Sequence, residues 1–378
     1  MDALMLPLPK DWEIKTFRDI STINQGLQIP ISQRLKAPTE HAKFYITIQA
    51  LNNRKEFEYI KTYNESVVCH KDDILMTRTG NTGMVITNIE GVFHNNFFKI
   101  NFDRTLINKD FLVYFLSLEQ TQKTILKKAG TSTIPDLNHN DFYSLLIPLP
   151  PLHEQIAIAD ILSALDNYLH ALRALILKKE SVKKALSFEL LSQRKRLKGF
   201  NQAWQRVRLG DICEITTGSL DANEMVHYGK YRFYTCAKEY YFIDKYAFDT
   251  EAILISGNGA YVGYVHYYKG KFNAYQRTYV LDNFSEHIIF IKYFLTMFLQ
   301  SHIQTNRNEG NTPYIVMATL KDFEIPLPPL NEQSAIADIL SALDKEIASL
   351  KNKKRQFDNI KKALNHDLMS AKIRVLKK

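Results

Sequence analysis

A short segment bounded by glycines is the first place in the sequence where clustered side chains could do chemistry. The segment DDILMTRTGNTG (residues 72–83) contains an apolar run followed by Arg78, Thr79, Asn81 and Thr82. Glycines permit a close backbone approach, and an arginine or asparagine side chain can form two hydrogen bonds with the edge of a guanine or an adenine. The pattern therefore allows contact with nucleic acid. The simpler alternative is a hairpin whose glycines adopt positive φ.

A second segment has the same form. TEAILISGNGAYVG (residues 250–263) contains Ser256, Asn258 and Tyr261 at comparable positions, so we give it the same two interpretations. Further along, Arg277 in YQRTY could contact a phosphate or stack on a neighbouring tyrosine, and ordinary structural packing is the alternative. We predict that these residues, with those of the first segment, are the candidates for DNA contact.

Motifs for catalysis are absent from the sequence. It has no GxxxxGK[ST] nucleotide loop, no HExxH pair and no CxxC spacing among Cys69, Cys213 and Cys236. It also lacks the [DNS]PP[YF] motif of base methyltransferases. Cys69 and His70 are adjacent, and neighbours on a strand point to opposite faces, which argues against a nucleophile pair. We expect no catalytic, cofactor or metal site, and the 11 histidines to be surface or core residues.

The chain contains a long internal repeat. IPLPPLHEQIAIADILSALD begins at Ile147 and IPLPPLNEQSAIADILSALD at Ile325, and 18 of the 20 positions are identical. The segments around Trp12 and Trp204 also match, as do GTSTIPDL (residues 130–137) and GNTPYIVM (residues 310–317). A period of this length indicates a duplicated domain, since solenoid repeats are 20 to 50 residues long.

The repeat predicts an α+β protein with two globular domains and two long helices. Residues 1–150 and 199–328 are the predicted globular domains, and residues 151–198 and 329–378 the helices. Within the domains, segments 31–70 and 219–249 share little beyond aromatic and β-branched residues, which predict strands and hairpins. The repeated segments are thus the same in both domains while the segments between them differ, as expected of a protein that recognises two targets.

The segments after the proline stretches predict a coiled coil. His153 or Asn331 could cap each helix, and Gly199 could end the first. Helices of about 45 residues would be about 65 Å long, more than is usual in a globular protein. We predict helix–helix packing by apolar residues at heptad spacing: Leu162, Leu165, Leu169, Leu172 and Ile176 in the first helix, and Leu340, Leu343, Ile347, Leu350, Phe357 and Leu364 in the second.

Charge selects the direction in which the helices pair. Residues 178–198 contain eight Lys or Arg against two acidic residues, and residues 351–378 contain ten against two, whereas the preceding halves of both helices are acidic. Only antiparallel pairing sets each basic half beside an acidic one. This pairing predicts a pseudo-twofold molecule with its domains at opposite ends of a rod. Lysines interrupt the apolar positions, either with their stems buried at the seam or in contact with phosphate or a partner: Lys179, Lys183, Lys354 and Lys361.

Composition fits a cytoplasmic protein with a polyanionic partner. No apolar run approaches the roughly 20 residues that span a bilayer, and the N-terminal residues show no signal-peptide pattern. The net charge of +9 and isoelectric point of about 9.1 suit DNA. The two globular domains alone are nearly neutral, however, at +1 and −1. A protein–protein scaffold that displays two binding domains therefore stands as the alternative.

The whole chain resembles the specificity subunit of type I restriction-modification systems. The resemblance rests on the order Trp…Gly, DILMTRTGNTG, GTSTIPDL, then IPLPPLHEQIAIADIL and a long helix, repeated once. It implies a non-catalytic subunit whose domains each recognise half of a bipartite double-stranded DNA target. It further implies that the helices set the spacing and, with neighbouring segments, bind two modification subunits, and that restriction subunits complete the complex. S-adenosylmethionine is then expected on the modification subunits, and ATP and Mg²⁺ on the restriction subunit, with no cofactor on this chain.

Overall fold

The computed structural model describes residues 8–52, 57–305 and 313–375. Part of the repeated GNTPYIVM segment, residues 310–312, lies outside this description. The chain forms two compact units. Unit 1 comprises Met1–Leu172 and Lys353–Lys378, and unit 2 comprises Arg173–Asn352. Each unit thus combines a globular domain with one part of each long helix.

The first half of the chain contains short strands and helices, then one long helix. In chain order its described elements are β1 (Glu13–Thr16), α1 (Phe17–Ile20), β2 (Ser21–Gln25), β3 (Lys43–Ile46), α2 (Ile48–Asn52), β4 (Tyr59–Ile60), β5 (Val68–Cys69), β6 (Ile74–Thr77), β7 (Val85–Ile86), β8 (Gly91–Phe93), β9 (Phe97–Phe102), α3 (Lys109–Leu116), α4 (Glu119–Ala129), α5 (His139–Tyr143), β10 (Leu146–Leu149) and α6 (Leu152–Leu191).

The second half begins and ends with the same kinds of element, but it has fewer described elements between them, and two of its strands, β15 and β16, are longer than any described in the first half. Its described elements are β11 (Gln205–Arg208), α7 (Leu209–Ile212), β12 (Glu214–Thr217), β13 (Tyr231–Tyr234), β14 (Tyr241–Ile243), β15 (Phe248–Ser256), β16 (Val265–Ala274), β17 (Thr278–Asp282), α8 (Ile288–Thr305), α9 (Met317–Lys321), β18 (Glu324–Leu327) and α10 (Leu330–Met369).

The sheets have the same central order in both units. Unit 1 has two four-stranded sheets, β2-β9-β6-β7 and β4-β3-β8-β5, and unit 2 has one six-stranded sheet, β12-β17-β15-β16-β13-β14. In each unit the chain entering the domain pairs antiparallel with the strand that carries the proline stretch, β1 with β10 and β11 with β18. This pair brings the two ends of each domain together, so the helix leaves next to the point where the domain begins.

Hydrophobic clusters in each unit fix these sheets against their helices. In unit 1, Ile74 and Phe98 from the sheet pack with Phe111 and Phe115 from α3, and all four are essentially inaccessible to solvent. The side chain of Asn108 caps α3 by accepting a hydrogen bond from the amide of Phe111. Both faces of β6 are buried, because Ile74 and Met76 lie in this cluster whereas Leu75 lies in a second cluster of the same domain.

Glycine is required directly after β2 in unit 1 and after β12 in unit 2, where the chain passes close to the backbone of a neighbouring segment. A Cβ on Gly26 would lie 2.2 Å from the carbonyl oxygen of Phe93, and one on Gly218 would lie 1.9 Å from that of Ala274. No side chain fits at such distances from backbone atoms. The Trp…Gly landmarks of the repeat therefore mark the same close approach in both units.

The variable segments contain the strands that their composition predicts, with one exception. KFYITIQAL forms β3 and then the short helix α2, so the strand prediction is wrong for residues 48–51. Thr47 explains the change, because its hydroxyl accepts a hydrogen bond from the amide of Ala50 and starts the helical turn.

The two long helices contain 40 residues each, which corresponds to about 60 Å. They begin at Leu152 and Leu330, so His153 and Asn331 lie inside the first turn and the predicted caps are wrong. The amides of the first turns bond instead to the carbonyl groups of the prolines before them.

The predicted end of the first helix is also wrong. Helix α6 ends at Leu191, well before Gly199, and α10 ends at Met369, 178 residues later. Gln193 and Ala371 follow with φ of 62° and 56°, a conformation that cannot continue a right-handed helix. The repeat thus extends through both helix ends. Among the described residues, no helix is long and apolar enough to cross a membrane.

Candidate nucleic-acid interface

The glycine-bounded segment of unit 1 forms a tight hairpin loop between β6 and β7. Gly80 and Gly83 have φ of 83° and 90°, and the amide of Gly83 donates to the carbonyl oxygen of Thr77 at 2.8 Å. The predicted hairpin is therefore present. Asn81 is exposed at its tip, whereas Thr82 is buried and donates to the carbonyl oxygen of Pro135 at 2.6 Å.

Arg78 and Thr79 lie against their own domain. The guanidinium of Arg78 pairs with Asp136 at 2.7 Å and lies 5.6 Å from the centre of the Phe98 ring. Thr79 donates its hydroxyl hydrogen bond to the same carboxylate. These contacts connect the loop to the GTSTIPDL segment, so two of the segments that recur in the second copy pack against each other in the first.

The equivalent loop of unit 2 has the same backbone geometry. Gly259 and Gly263 both have φ of 79°, and the amide of Gly263 donates to the carbonyl oxygen of Ser256 at 2.7 Å. Asn258 forms a β-bridge with Tyr314, which lies within the GNTPYIVM segment. The loop is held at both ends, as in unit 1.

Exposure divides the candidate DNA-contacting residues. Ser256 is completely buried and Thr82 is 7% exposed, so a direct DNA contact does not fit either of them. Tyr261, in contrast, is 43% exposed, and Arg277 is exposed in the turn between β16 and β17. The ammonium group of Lys238 lies 5.1 Å from the ring centre of Tyr261 and adds positive charge beside the loop. DNA contact by these exposed residues and by Asn81 stays a prediction.

The helix seam buries most of its predicted apolar residues. Fully or almost fully buried positions are Leu162, Leu169, Leu172, Ile176, Leu340 and Ile347. Partly buried positions are Leu165, Leu343, Leu350, Phe357 and Leu364. In unit 1 the rings of Tyr168 and Phe357 are 4.7 Å apart.

Each unit contains an antiparallel pair of helix segments, as charge predicts. In unit 2, Glu180 pairs with Lys351 at 2.6 Å and Lys183 pairs with Asp344, so residue numbers rise along one helix while they fall along the other. Unit 1 has the same direction, because Asp166 pairs with Lys361 and Tyr168 contacts Phe357. Isolated exposed pairs of this kind contribute about 0–1 kcal/mol each, so they select direction more than they add stability.

The seam lysines mostly contact carboxylates of the facing helix. Lys361 pairs with Asp166 in unit 1, and Lys183 pairs with Asp344 in unit 2. Lys354 instead pairs with Asp358 on its own helix. Of the two alternatives for these side chains, contact within the seam fits the observed geometry, and these ammonium groups have carboxylate partners already.

A tyrosine completes each of these seam contacts. Tyr114 donates to Asp166 at 2.7 Å, and Tyr293 donates to Asp344 at 2.6 Å. Burial and the neighbouring carboxylate raise the pKa of both phenols. Burial by itself would raise the pKa of Asp344, but hydrogen bonds from Lys183 and Tyr293 outweigh it, and the net pKa is below its usual value. In each unit this tyrosine thereby connects the globular domain to the ion pair between the two helices.

Sequence reasoning missed a buried clamp at the start of each long helix. In unit 1, Glu154 is 1% exposed and accepts hydrogen bonds from the indole of Trp12 at 3.0 Å and from Arg374 at 2.7 Å. In unit 2, Glu332 is completely buried and accepts from Trp204 at 3.2 Å and from Arg196 at 2.5 Å.

The signal for this clamp was present in the repeat. Trp, Glu and Arg recur in both copies, and Arg196 and Arg374 are 178 residues apart, the same offset as the proline stretches. A charged residue that is identical in two diverged copies and follows a helix end is a candidate for a buried pair, since buried charges need partners.

The glutamine of the repeated EQ pair ties the helix to its domain. Gln155 is completely buried, accepts from the amide of Asn108 at 2.9 Å and donates to the carbonyl oxygen of Pro150 at 2.8 Å. Gln333 makes the corresponding bonds to His287 and Pro328. The repeated segment IPLPPLxEQ is thus explained as a junction, in which the Glu and Gln side chains of both copies have structural partners.

Groups that could hold a metal are absent among the described residues. Cys69 is buried in β5, and burial raises the pKa of its thiol to about 12, which leaves it protonated and unreactive at neutral pH. The geometry therefore offers loops, turns and paired helices for binding.

Comparison with known proteins agrees with this geometry. The family model described as type I restriction modification DNA specificity domain matches residues 9–180 and again residues 201–357. The specificity subunit of the Escherichia coli type I restriction enzyme EcoDI is 38% identical over 170 residues, which are 44% of this chain and 37% of that protein. The alignment thus spans little more than a third of that relative.

Two further similarities extend over the whole chain. The MjaVIII specificity subunit of Methanocaldococcus jannaschii is 25% identical over 417 aligned positions, covering 98% of this chain and 95% of that one. The crystal structure of a type I restriction-modification S subunit from M. genitalium has the same fold, with a TM-score of 0.65 at 19% identity over 96% of this chain and 98% of that chain. The chain belongs to the family of type I restriction-modification DNA specificity subunits, which supply sequence recognition and not catalysis.

Proposed function

We propose that each globular domain recognises one half of a bipartite DNA sequence, and that the paired helices fix the unread spacer between the halves. The supporting observation is the duplication of one loop geometry in two different settings. Gly83 and Gly263 close the two loops with the same backbone bond, while the variable segments beside them differ in sequence and in sheet order. A common framework with different fillings suits recognition of two different half-sites.

The proposal includes other subunits of the complex. Two modification subunits would bind the helices and neighbouring repeated segments, one for each copy of the repeat, and restriction subunits would join the full assembly. The modification subunits would carry S-adenosylmethionine, and the restriction subunit ATP and Mg²⁺. Because the substrate is cellular DNA, the proposed site of action is the cytoplasm.

The single competing function is a protein–protein scaffold. The nearly neutral globular domains, with net charges of +1 and −1, are the observation that favours it. The two functions differ in their dependence on salt. Phosphate contacts release counterions, so the logarithm of the binding constant falls with the logarithm of salt concentration by about 0.9 for each contact, whereas a scaffold gives no such slope.

The test is a salt titration of duplex binding by the chain assembled with its modification subunits. The duplex would contain the bipartite motif mapped by methylation-sensitive sequencing of cells that express the system. We expect a slope of several units and a motif with two separated halves. A flat titration, or modified sites without a bipartite motif, would contradict the proposal and favour the scaffold.

A further inference from the structure

The two glycine-bounded loops differ at one structurally equivalent position. In unit 1, the amide of Arg78 donates to the carbonyl oxygen of Asn96 at 2.7 Å. In unit 2, the amide of Gly257 donates to the carbonyl oxygen of Arg277 at 2.8 Å. Gly257 therefore occupies the place of Arg78, and the side chain that fills this place in unit 1 is missing in unit 2.

The surface under this position is aromatic in both units. Phe98 lies opposite Met76 in the register of β9 and β6, and Tyr279 lies opposite Ile255 in the register of β17 and β15. The Phe98 ring is covered by the guanidinium of Arg78, which Asp136 holds in place. Unit 1 thus fills the space above its ring with its own ion pair.

In unit 2 the corresponding space is a pocket of about 190 Å³. Tyr279 and Tyr314 form part of its wall, and Thr217, Gln276 and Arg277 contribute polar groups. Tyr314 takes the place of Asp136, because each forms the β-bridge to its loop. None of the described lining residues is acidic, so nothing in the lining neutralises the guanidinium of Arg277.

We propose that this pocket binds one phosphate group of the DNA backbone, through Arg277, with the hydroxyl of Thr217 beside it. This inference rests on the proposed function and makes it more specific. A concave pocket with an unneutralised guanidinium suits a convex anionic group, and the phosphates project from a duplex while base edges are recessed in its grooves. The two domains then differ in their contacts with the DNA backbone. Unit 2 makes this phosphate contact, whereas in unit 1 the side chain of Arg78 fills the corresponding space.

The test measures salt-dependent duplex binding by the full chain assembled with its modification subunits, on a 30-base-pair duplex that carries the mapped motif. Arg277→Ala is expected to weaken binding roughly 10-fold or more and to lower the log–log slope by about 0.9. Thr217→Trp, which keeps the charge and fills the pocket from its exposed rim, is expected to weaken binding in the same direction. Arg277→Lys is expected to retain the slope.

Two matched controls separate this pocket from general surface charge. Arg206→Ala removes another exposed arginine of unit 2, and Arg104→Ala removes an exposed arginine of unit 1; both are expected to leave the slope unchanged. An equal loss of slope in Arg206→Ala, or an unchanged Arg277→Ala in a complex with a steep wild-type slope, overturns the pocket alone. A relaxed base preference in Arg277→Ala shows base contact and also overturns it. A wild-type complex without a slope refutes the proposed function as well.

Discussion

The duplicated clamp yields a prediction in which one half of the molecule is the control for the other. Glu332 is completely buried and its carboxylate accepts from Arg196 and Trp204. In unit 1, Glu154 has the same two kinds of partner, but Arg374 also makes two bonds to Asp11, at 2.6 and 3.0 Å. Removing the glutamate charge therefore leaves Arg196 of unit 2 without this carboxylate partner, whereas Arg374 of unit 1 still pairs with Asp11.

The expected cost follows from the burial of the pair. Breaking a buried ion pair by removing one partner costs about 3–5 kcal/mol. The side chain of Arg196 is 28% exposed, so water compensates part of this loss. Glutamine also keeps an acceptor for the indole of Trp204. We expect Glu332→Gln to lower the free energy of unfolding of unit 2 by about 2–3 kcal/mol, and Glu154→Gln to destabilise unit 1 less.

The assay uses the two tryptophans, because the chain has only Trp12 and Trp204 and each belongs to one clamp. Chains with Trp204→Phe report unit 1 by fluorescence, and chains with Trp12→Phe report unit 2. With a urea dependence of about 2 kcal/mol per molar, Glu332→Gln should lower the midpoint by about 1–1.5 M.

A second substitution tests the reason for the asymmetry. Combining Asp11→Asn with Glu154→Gln removes both carboxylates of Arg374, so the midpoint of unit 1 should then fall as far as that of unit 2. If the two single glutamate substitutions have equal effects, or the Asp11 substitution adds nothing, Asp11 does not support Arg374 and the argument fails.

Four further predictions concern titration, catalysis, spacing and assembly. Because the pKa of Asp344 is lower in the folded state, its carboxylate stabilises unit 2 at pH values above its pKa in the unfolded chain, near 3.8. This contribution is lost as the pH falls through the pKa of the folded state. Asp344→Asn should therefore make the stability of unit 2, measured by tryptophan fluorescence, depend less on pH in acid. The purified chain alone should neither methylate nor cut DNA with S-adenosylmethionine present, and retained activity would contradict its non-catalytic role. One heptad inserted near Leu169 and another near Ile347 should add about 10.5 Å to each helix and lengthen the unread spacer of the modified motif by two to four base pairs; changed half-sites would contradict this. A chain truncated after Lys198 should dimerise in sedimentation, and an unfolded monomer would contradict the shared seam.

The sequence predicts the architecture because the repeat and the helix charges are local signals. Two nearly identical segments 178 residues apart indicate that the chain contains two similarly folded domains. The basic halves of the helices indicate that each packs beside an acidic half of the other helix. The same reasoning could not find the partner of Arg78, because Asp136 is 58 residues away and their contact depends on how the loop and a later segment fold together. Burial of Ser256 was equally hidden, since a polar residue next to glycines is usually exposed.

Helix ends were predicted incorrectly for a related reason. Gly199 has the residue type preferred after a helix, yet α6 ends earlier, and Gln193 takes the positive φ. The chain must turn there because Arg196 has to reach Glu332, and the equivalent turn at Ala371 lets Arg374 reach Glu154. Tertiary contacts outweighed the local preference of the backbone at both positions.

The clamps show how duplication is built into the stability of each unit. Trp12 and Glu154 come from the first copy of the repeat, but Arg374 comes from the second; in unit 2 the origins are reversed, with Arg196 from the first copy. Each buried carboxylate is therefore neutralised by the other copy's arginine. A single copy contains a tryptophan, a glutamate and an arginine, so two identical copies could complete two clamps by the same exchange. The arrangement explains why these residues stay identical while the loops and sheets between them differ.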